Sequence, residues 1–133
     1  PDAWSKRSKT VPKNHQDLFN FLNSSIEPWD GPAAICATDA KWVLAATDRN
    51  GLRPLRYALT SDDLFFAGSE AGMIKLPEEK IISKGKLGPG QIIAIDLKLG
   101  KLYNDKEIKD YIAKDYKKYN KQNNKENRKK QRY

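Results

Sequence analysis

Cysteine and histidine are nearly missing from this sequence of 133 residues, which contains one of each, Cys36 and His15. A single cysteine excludes a disulfide within the chain and suits a reducing compartment. Neither residue has a second His or Cys at ligand spacing, so no metal site is predicted. We expect His15 to be an ordinary surface histidine. Cys36 lies in an apolar run and is expected to be buried and inert.

Long apolar segments are also missing. No run approaches the ~20 residues that span a bilayer, and no secretory signal pattern opens the chain. The mean hydropathy is -0.80 and 32% of the residues are charged, which leaves a thin core for about one small domain. The sequence therefore predicts a soluble, cytoplasmic protein without a membrane partner.

Positive charge is concentrated at one end of the chain. The net charge is +8, but residues 101–133 hold 12 Lys and Arg against 5 Asp and Glu, while residues 1–100 hold 13 against 12. Residues 120–133 contain no apolar side chain before Tyr133, so we expect a basic, disordered tail there and a domain over residues 1–119. A small protein that binds RNA or another polyanion through this tail is one possible reading, although no base-reading motif is present.

Two blocks rich in proline and glycine mark sharp bends. In residues 27–32, Pro28 and Pro32 exclude a continuous helix and hold Trp29 on a stiff corner. In residues 48–54, the pair Asn50 and Gly51 is a strong reverse-turn signal because both residues tolerate positive φ.

Short strands alternate with turns between these bends and the basic end. Their predicted ranges are residues 33–38, 41–47, 55–60, 64–68, 91–96 and 101–103. A short amphipathic helix is predicted over residues 14–23. A second helix is predicted from Asp105 to Tyr119, because Asn104 and Glu107 resemble a capping box. The chain is thus expected to be α+β with mainly antiparallel strands.

Two other segments invite a chemical interpretation. Ser69 and Glu70 follow a strand, but no histidine is spaced to activate the serine, which favours a structural capping role. Residues 84–90 combine lysines with three glycines, yet they lack the spacing of a phosphate-binding loop, which favours a plain bend between strands.

Five blocks, in this order, resemble the later part of the class II (N-terminal-nucleophile) glutamine amidotransferase domain in the glutamate synthase large subunit. They are residues 27–32, 48–57, 68–72 and 84–90, together with the strand pair after the first block. The resemblance runs from about Pro1 to about Ile112. It implies part of a four-layer α/β/β/α sandwich that releases ammonia from glutamine for transfer to 2-oxoglutarate. A fragment of another class II amidotransferase, similar to the phosphoribosyl-pyrophosphate enzyme, is the alternative within the superfamily.

The resemblance also implies which functional groups lie elsewhere. The family's nucleophile is a cysteine at the mature N-terminus, and this residue, the glutamine-binding residues and the oxyanion donors all lie upstream of the matched region. Asn50 and Gly51 match the family's second Asn-Gly pair, which forms a turn. We therefore expect no catalytic, cofactor-binding or metal-binding residue in this chain. The flavin, the iron-sulfur cluster and the NADPH or ferredoxin electron donor belong to other domains, which are the expected partners.

The family usually has glycine where this sequence has Ala40, between the first two predicted strands. If that position requires positive φ, alanine costs on the order of 1 kcal/mol, and otherwise the turn is of a different type. The apolar faces of residues 35–44 and 92–95 are expected to pack against strands of the domain that are absent from this chain.

Overall fold

Two antiparallel sheets and two helices make up the part of the chain that the computed structural model describes, residues 10–27, 31–70 and 72–130, with side chains up to residue 124. The helices are α1 (Lys13–Ser25) and α2 (Asp105–Lys130). A 3₁₀ helix, Glu78–Lys80, precedes the fifth strand. The strands are β1 (Ala34–Thr38), β2 (Trp42–Thr47), β3 (Arg56–Thr60), β4 (Phe65–Gly68), β5 (Ile81–Lys86), β6 (Ile92–Asp96) and β7 (Lys101–Tyr103). The predicted α+β class is confirmed.

All neighbouring strands run antiparallel. Sheet 1 has the order β1-β2-β6-β7, and sheet 2 has the order β4-β3-β5. In sheet 1, Cys36 lies opposite Ala45, and Ala45 lies opposite Ile93 in the next strand. The six predicted strands occur within one residue of their expected bounds. The bend expected over residues 84–90 is shorter than predicted, because β5 continues to Lys86 and pairs with β3.

The two faces of sheet 1 carry two separate apolar cores. One core joins sheet 1 to sheet 2 through Ala45, Leu55, Leu87 and Ile93. The other joins the opposite face to α2 through Ala94, Tyr103 and Ile108. Successive residues of a strand point to opposite faces, so neighbours such as Ile93 and Ala94 serve different cores. The described residues therefore form three layers, in the order helices, sheet 1 and sheet 2.

Helix α2 begins with the predicted capping box. The N–H of Glu107 donates to Asn104 Oδ1 at 2.9 Å, and the N–H of Asn104 donates to Glu107 Oε2 at 3.2 Å. This reciprocal pair satisfies two backbone donors that the helix cannot satisfy itself, a contribution of about 1 kcal/mol. Rings of Trp42, Tyr103 and Tyr111 then hold the helix on sheet 1, with centroids 5.4 to 5.7 Å apart.

The predicted end of α2 at Tyr119 is wrong. The helix continues through Lys130, where the sequence predicts a disordered tail. Lys, Gln, Glu and Arg have good helix propensity, and a capped, packed first half supplies the costly nucleus, so each further residue adds a hydrogen bond. Within the described residues, neither helix is both long and apolar enough to cross a bilayer.

The prediction that Cys36 is buried is wrong, because every residue of β1 is exposed. β1 forms one edge of sheet 1, and α2 and sheet 2 cover the strands beyond it. Ile35, an apolar residue of this edge strand, is therefore 39% exposed. The expectation that the apolar face of residues 92–95 needs strands absent from this chain is wrong, since Ile93 and Ala94 are buried in the middle of sheet 1.

The hairpin between β1 and β2 holds Ala40 at φ 69°, in the region that favours glycine. Lys41 and Trp42 donate backbone N–H groups to Asp39 Oδ1 at 2.9 and 2.7 Å, and these bonds keep the turn closed. The same two amides, that of Trp42 first, lower the pKa of Asp39. The turn thus keeps positive φ although alanine has replaced the family's usual glycine.

Ala40→Gly is expected to raise the free energy of unfolding by about 0.5 to 1 kcal/mol, because glycine adopts this φ without a Cβ clash. Urea denaturation of both proteins measures the change. Ala37→Gly, in the exposed strand of the same hairpin, is the control and should lower stability by about 0.5 to 1 kcal/mol. A loss of stability in both variants would contradict the strain assigned to Ala40.

Candidate functional site

The second proline-glycine block, residues 48–54, forms a tight bend after β2 that we call the Asp48 bend. The side chain of Asp48 accepts the backbone N–H of Asn50 at 3.2 Å and that of Leu52 at 3.1 Å. Gly51 has φ +62° and donates its N–H to Asp48 O at 3.1 Å. This N–H is used within the turn, which confirms that Asn50 and Gly51 form a turn.

Asp48 is held in its ionised form by the same bend. Burial of the carboxylate acts to raise its pKa, but backbone N–H groups outweigh this effect and lower the pKa below 3.8. The donors are Asn50, Ala33, Arg53 and Leu52, in order of effect. The charge of Asp48 therefore stabilises the bend, and the lowered pKa makes its carboxylate a weaker base than an ordinary aspartate.

Three of the blocks noted in the sequence meet at this bend. Asp48 donates its N–H to Ala33 O at 3.0 Å, next to the first block, and its carbonyl accepts the N–H of Gly90 at 2.8 Å. Thr47 Oγ1 donates to Gly88 O at 2.6 Å. The part of the predicted 84–90 bend that follows β5 is thus fastened to the Asp48 bend. The corner predicted at Trp29 lies outside the described residues.

A cleft of about 680 Å³ opens beside this junction. The loop around Pro89, with Thr47 and Arg49, forms one wall. Helices α1 and α2 form the other walls. The helix residues facing the cleft include His15, Phe19, Leu22, Asp105, Lys106 and Lys109.

Charged groups of α2 in the cleft pair with each other or with the backbone. Lys109 Nζ lies 2.8 Å from Asp105 Oδ1 and donates to Gly90 O at 3.2 Å. Asp105 Oδ1 also accepts the N–H of Ile92 at 2.9 Å. Lys106 Nζ lies 3.0 Å from Asp110 Oδ2. Asp105 and Lys109 therefore tie α2 to β6 and to the loop at Gly90, and Lys106 is paired within α2, so these lysines do not present an open anion site.

His15 is buried, 4% exposed, so the prediction of a surface histidine is wrong. Its Nε2 lies 2.6 Å from Asp110 Oδ1 on α2. Hydrogen bonds from Lys106 first, and then from His15, lower the pKa of Asp110 to about 2. An ionised carboxylate only accepts hydrogen bonds, so Nε2 must carry the proton and donate it to Asp110. The single histidine thus joins the two helices.

The other segments singled out in the sequence serve the fold. Gly85 leaves room for the ring of Tyr57. A Cβ at this position would lie only 2.6 Å from the Tyr57 hydroxyl. Ser69 and Glu70 are exposed at the end of β4, and Ser69 Oγ lies 4.0 Å from Met73 Sδ within the same loop. Neither segment lines the cleft beside the Asp48 bend.

The cleft has few groups that could perform chemistry. Among its lining residues, the hydroxyl of Thr47 is committed to Gly88 O, and the imidazole of His15 is committed to Asp110. Over the part of the chain that the structure describes, no group of three or more His, Cys, Asp or Glu side chains is arranged to hold a metal ion. The hydroxyl of Thr47 and the imidazole of His15 thus serve contacts within the fold.

Comparison with known proteins shows the family to which this chain belongs. The family model of the class-II glutamine amidotransferases matches residues 1–121, which extends past the limit near Ile112 expected from the sequence. The chain therefore belongs to the class-II glutamine amidotransferases. The large chain of an NADPH glutamate synthase from Azospirillum brasilense is 56% identical over 106 residues, which is 80% of this chain and 7% of that protein.

Other relatives agree. The corresponding large chain from Bacillus subtilis is 40% identical over 87% of this chain and 8% of that protein. A ferredoxin-dependent glutamate synthase from Arabidopsis thaliana is 42% identical over 91% of this chain and 8% of that protein. The resemblance to the glutamate synthase amidotransferase domain is thus confirmed, and the chain spans less than a tenth of the length of these relatives.

Proposed function

We propose that this chain is the later part of the amidotransferase domain of a glutamate synthase, where ammonia from glutamine is delivered to 2-oxoglutarate to give glutamate. The observation that carries the proposal is the 56% identity to a glutamate synthase large chain over 80% of this chain. The alternative of another class II amidotransferase has less support, because all the relatives compared above are glutamate synthases.

In this proposal the chain supplies structure and the upstream part of the domain supplies the nucleophile. The family's chemistry needs a thiol that its own N-terminal amine activates, with donors for an oxyanion. The Asp48 bend, fastened to Ala33 and Gly90, gives sheet 1 a fixed end against which such a site can be assembled. The N–H of Gly51 donates to Asp48 O within the bend, so we assign the oxyanion donors to the upstream part of the domain.

The exposed edge strand β1 is the proposed contact with that upstream part. Its outer edge has no neighbouring strand in sheet 1, and its side chains are exposed. An extended segment that adds to this edge would satisfy the backbone groups and cover Ile35. Cys36 lies in this strand and can report on its coverage.

Cofactor chemistry is proposed for other domains of the same enzyme. An iron-sulfur cluster is usually held by four cysteine thiolates, and this chain has Cys36 alone, so its residues do not fit such a cluster. Relatives are named for NADPH or for ferredoxin, and the choice for this protein is not assigned. A cytoplasmic location is proposed, with the composition and the single cysteine as support.

The test is complementation. The 133-residue chain alone is expected to release no ammonia from glutamine. Mixing it with the upstream part of the domain, beginning at the family's N-terminal cysteine, should produce ammonia and slow the reaction of Cys36 with a thiol reagent at least about tenfold, because β1 becomes covered.

Two controls separate assembly from chemistry. An upstream segment with alanine in place of the N-terminal cysteine should still protect Cys36 but release no ammonia. Cys36→Ala in this chain should leave ammonia release intact, since Cys36 is not the proposed nucleophile. Ammonia release by the purified chain alone, retained in Cys36→Ala and absent from a mock preparation, would overturn the proposal.

A further inference from the structure

The continuation of α2 to Lys130 turns the basic end of the chain into an ordered pattern. Successive residues of an α-helix are rotated by about 100°, so positions three, four and seven apart share a face. Lys114, Lys117, Lys118 and Lys121 have this spacing, and all four are exposed. The same spacing continues at positions 125, 128 and 129, which are Lys, Arg and Lys.

These seven positions form one stripe, which we call the basic stripe. They fall within an arc of about 120° and span about 22 Å along the helix axis. The acidic positions in this half of the helix, Asp115 and Glu126, fall outside that arc. The ion pair of Asp115 with Lys118 is long, at 3.9 Å, and exposed, so it neutralises little of the stripe. The opposite side of the helix faces α1, where the ring of Tyr116 packs 4.8 Å from that of Phe21.

We propose that the basic stripe is a docking surface for the phosphate backbone of nucleic acid. This binding does not depend on the base sequence. Basic residues at positions that share one face of a helix suit the closely spaced phosphate charges of a duplex. Gln122 and Asn124 are exposed at positions that border the stripe on its two sides, and their amide groups can also bond to phosphates.

Other anionic partners fit the pattern less well. A helix that lies on a membrane needs an apolar face along its length, whereas here the last apolar residue of the described helix is Tyr119. A docking surface for an acidic protein usually has aromatic or aliphatic anchors at its centre, and the stripe positions are all Lys or Arg. The family match ends at residue 121, so the stripe positions 125, 128 and 129 lie beyond it, while Lys114, Lys117, Lys118 and Lys121 lie within it.

The experiment measures binding of the full chain to two unrelated duplexes of about 24 base pairs by fluorescence anisotropy, from about 20 to about 200 mM salt. Both duplexes should bind with equal affinity. The affinity should fall at least about 100-fold over this range, with a slope of log K against log salt no steeper than about -6, which corresponds to seven phosphate contacts. Deletion of residues 120–133 should abolish most of the binding.

Two variants test the stripe. One replaces its four described lysines by glutamine and should lose at least about tenfold in affinity at low salt and about 3 to 4 units of slope. Its control makes the same change of charge at four exposed lysines away from α2 and should bind almost normally. The stripe variant changes Lys114, Lys117, Lys118 and Lys121, and the control changes Lys41, Lys75, Lys84 and Lys98.

A second variant keeps the composition and moves the charges around the helix. It exchanges neighbours at 120 and 121, at 124 and 125, and at 127 and 128, so that three cations leave the arc. The salt slope should fall by about 2 to 3 units, with helix content by circular dichroism unchanged. Wild-type binding by this variant, equal losses in the off-helix control, or sequence-selective binding that survives high salt would each overturn the proposal.

Discussion

His15→Ala is expected to lower the free energy of unfolding by about 2 to 3 kcal/mol, which is large for a domain of this size. The imidazole is buried, and its bond of 2.6 Å to Asp110 links α1 to α2 through two residues that are 95 apart in sequence. Hydrogen bonds to charged groups contribute about 1.5 to 3 kcal/mol, and removing this ring also leaves a cavity beside Phe19. Urea denaturation followed by circular dichroism measures the change.

A double-mutant cycle with His15→Ala and Asp110→Ala isolates the bond itself. The coupling free energy should be about 1 to 3 kcal/mol. Asn14→Ala is the matched control on the same helix, because Asn14 reaches the same carboxylate at a longer 3.4 Å and should cost about 1 kcal/mol or less. A coupling below about 0.3 kcal/mol would show that packing alone holds α1 on α2.

The pH dependence of stability measures the combined effect of the groups around Asp110, of which Lys106 contributes most to the lowered pKa and His15 next. The folded pKa of Asp110 lies at about 2, below its ordinary 3.8. A group whose pKa is lowered on folding contributes stability that is present above the ordinary pKa and is lost as the pH falls. The contribution of Asp110 should therefore be complete above pH 3.8 and disappear towards pH 2. Asp110→Asn should flatten the stability profile in this window, and an unchanged profile would contradict the assignment.

Gly51→Val is expected to lower the free energy of unfolding by about 1 to 3 kcal/mol. Two effects add at this position. The φ of +62° disfavours a β-branched residue, and a Cβ would lie 3.0 Å from both Cα and Cγ of Pro89. The contact with Pro89 would push the loop around Pro89 away from the Asp48 bend and weaken the hydrogen bond from Gly90 N–H to Asp48 O.

Gly100→Val separates these two effects. Gly100 has a similar φ of +61°, but a Cβ there would meet nothing within 4 Å, so the backbone cost stands alone. The loss in Gly51→Val should exceed that in Gly100→Val, and Pro89→Ala should recover part of the difference in a double mutant. Equal losses of unfolding free energy at the two glycines would show that the contact with Pro89 adds nothing to the cost of Gly51→Val.

Local chemistry made much of the fold predictable. The capping box at Asn104 and the turn at Gly51 depend on residues within a few positions of each other, and both are confirmed. Six strand ranges were predictable because the alternation of apolar and polar residues, and the turn residues that bound each strand, are local signals in the sequence. The family was recognisable because its blocks keep their order along the chain, and the family match confirms it.

The candidate site was harder to predict because its contacts join distant segments. His15 shares a face with Leu18, Phe19 and Leu22 at helical spacing, which was a usable sign of burial. Its acceptor on α2 could not be identified, since any exposed carboxylate satisfies the same local pattern. The attachment of the Asp48 bend to Gly90 had no local signal, because a backbone carbonyl can accept from any N–H.

The sequence by itself determined the family, the turns, the strand ranges and the concentration of charge at the basic end, because these properties depend on neighbouring residues or on composition. Tertiary structure alone decided which side chains are covered. It buried His15 by placing α2 on α1, left Cys36 exposed by placing β1 at the edge of sheet 1, and extended α2 through the basic residues. The burial of a side chain depends on which surfaces meet after folding, and these surfaces come from segments that are far apart in the sequence.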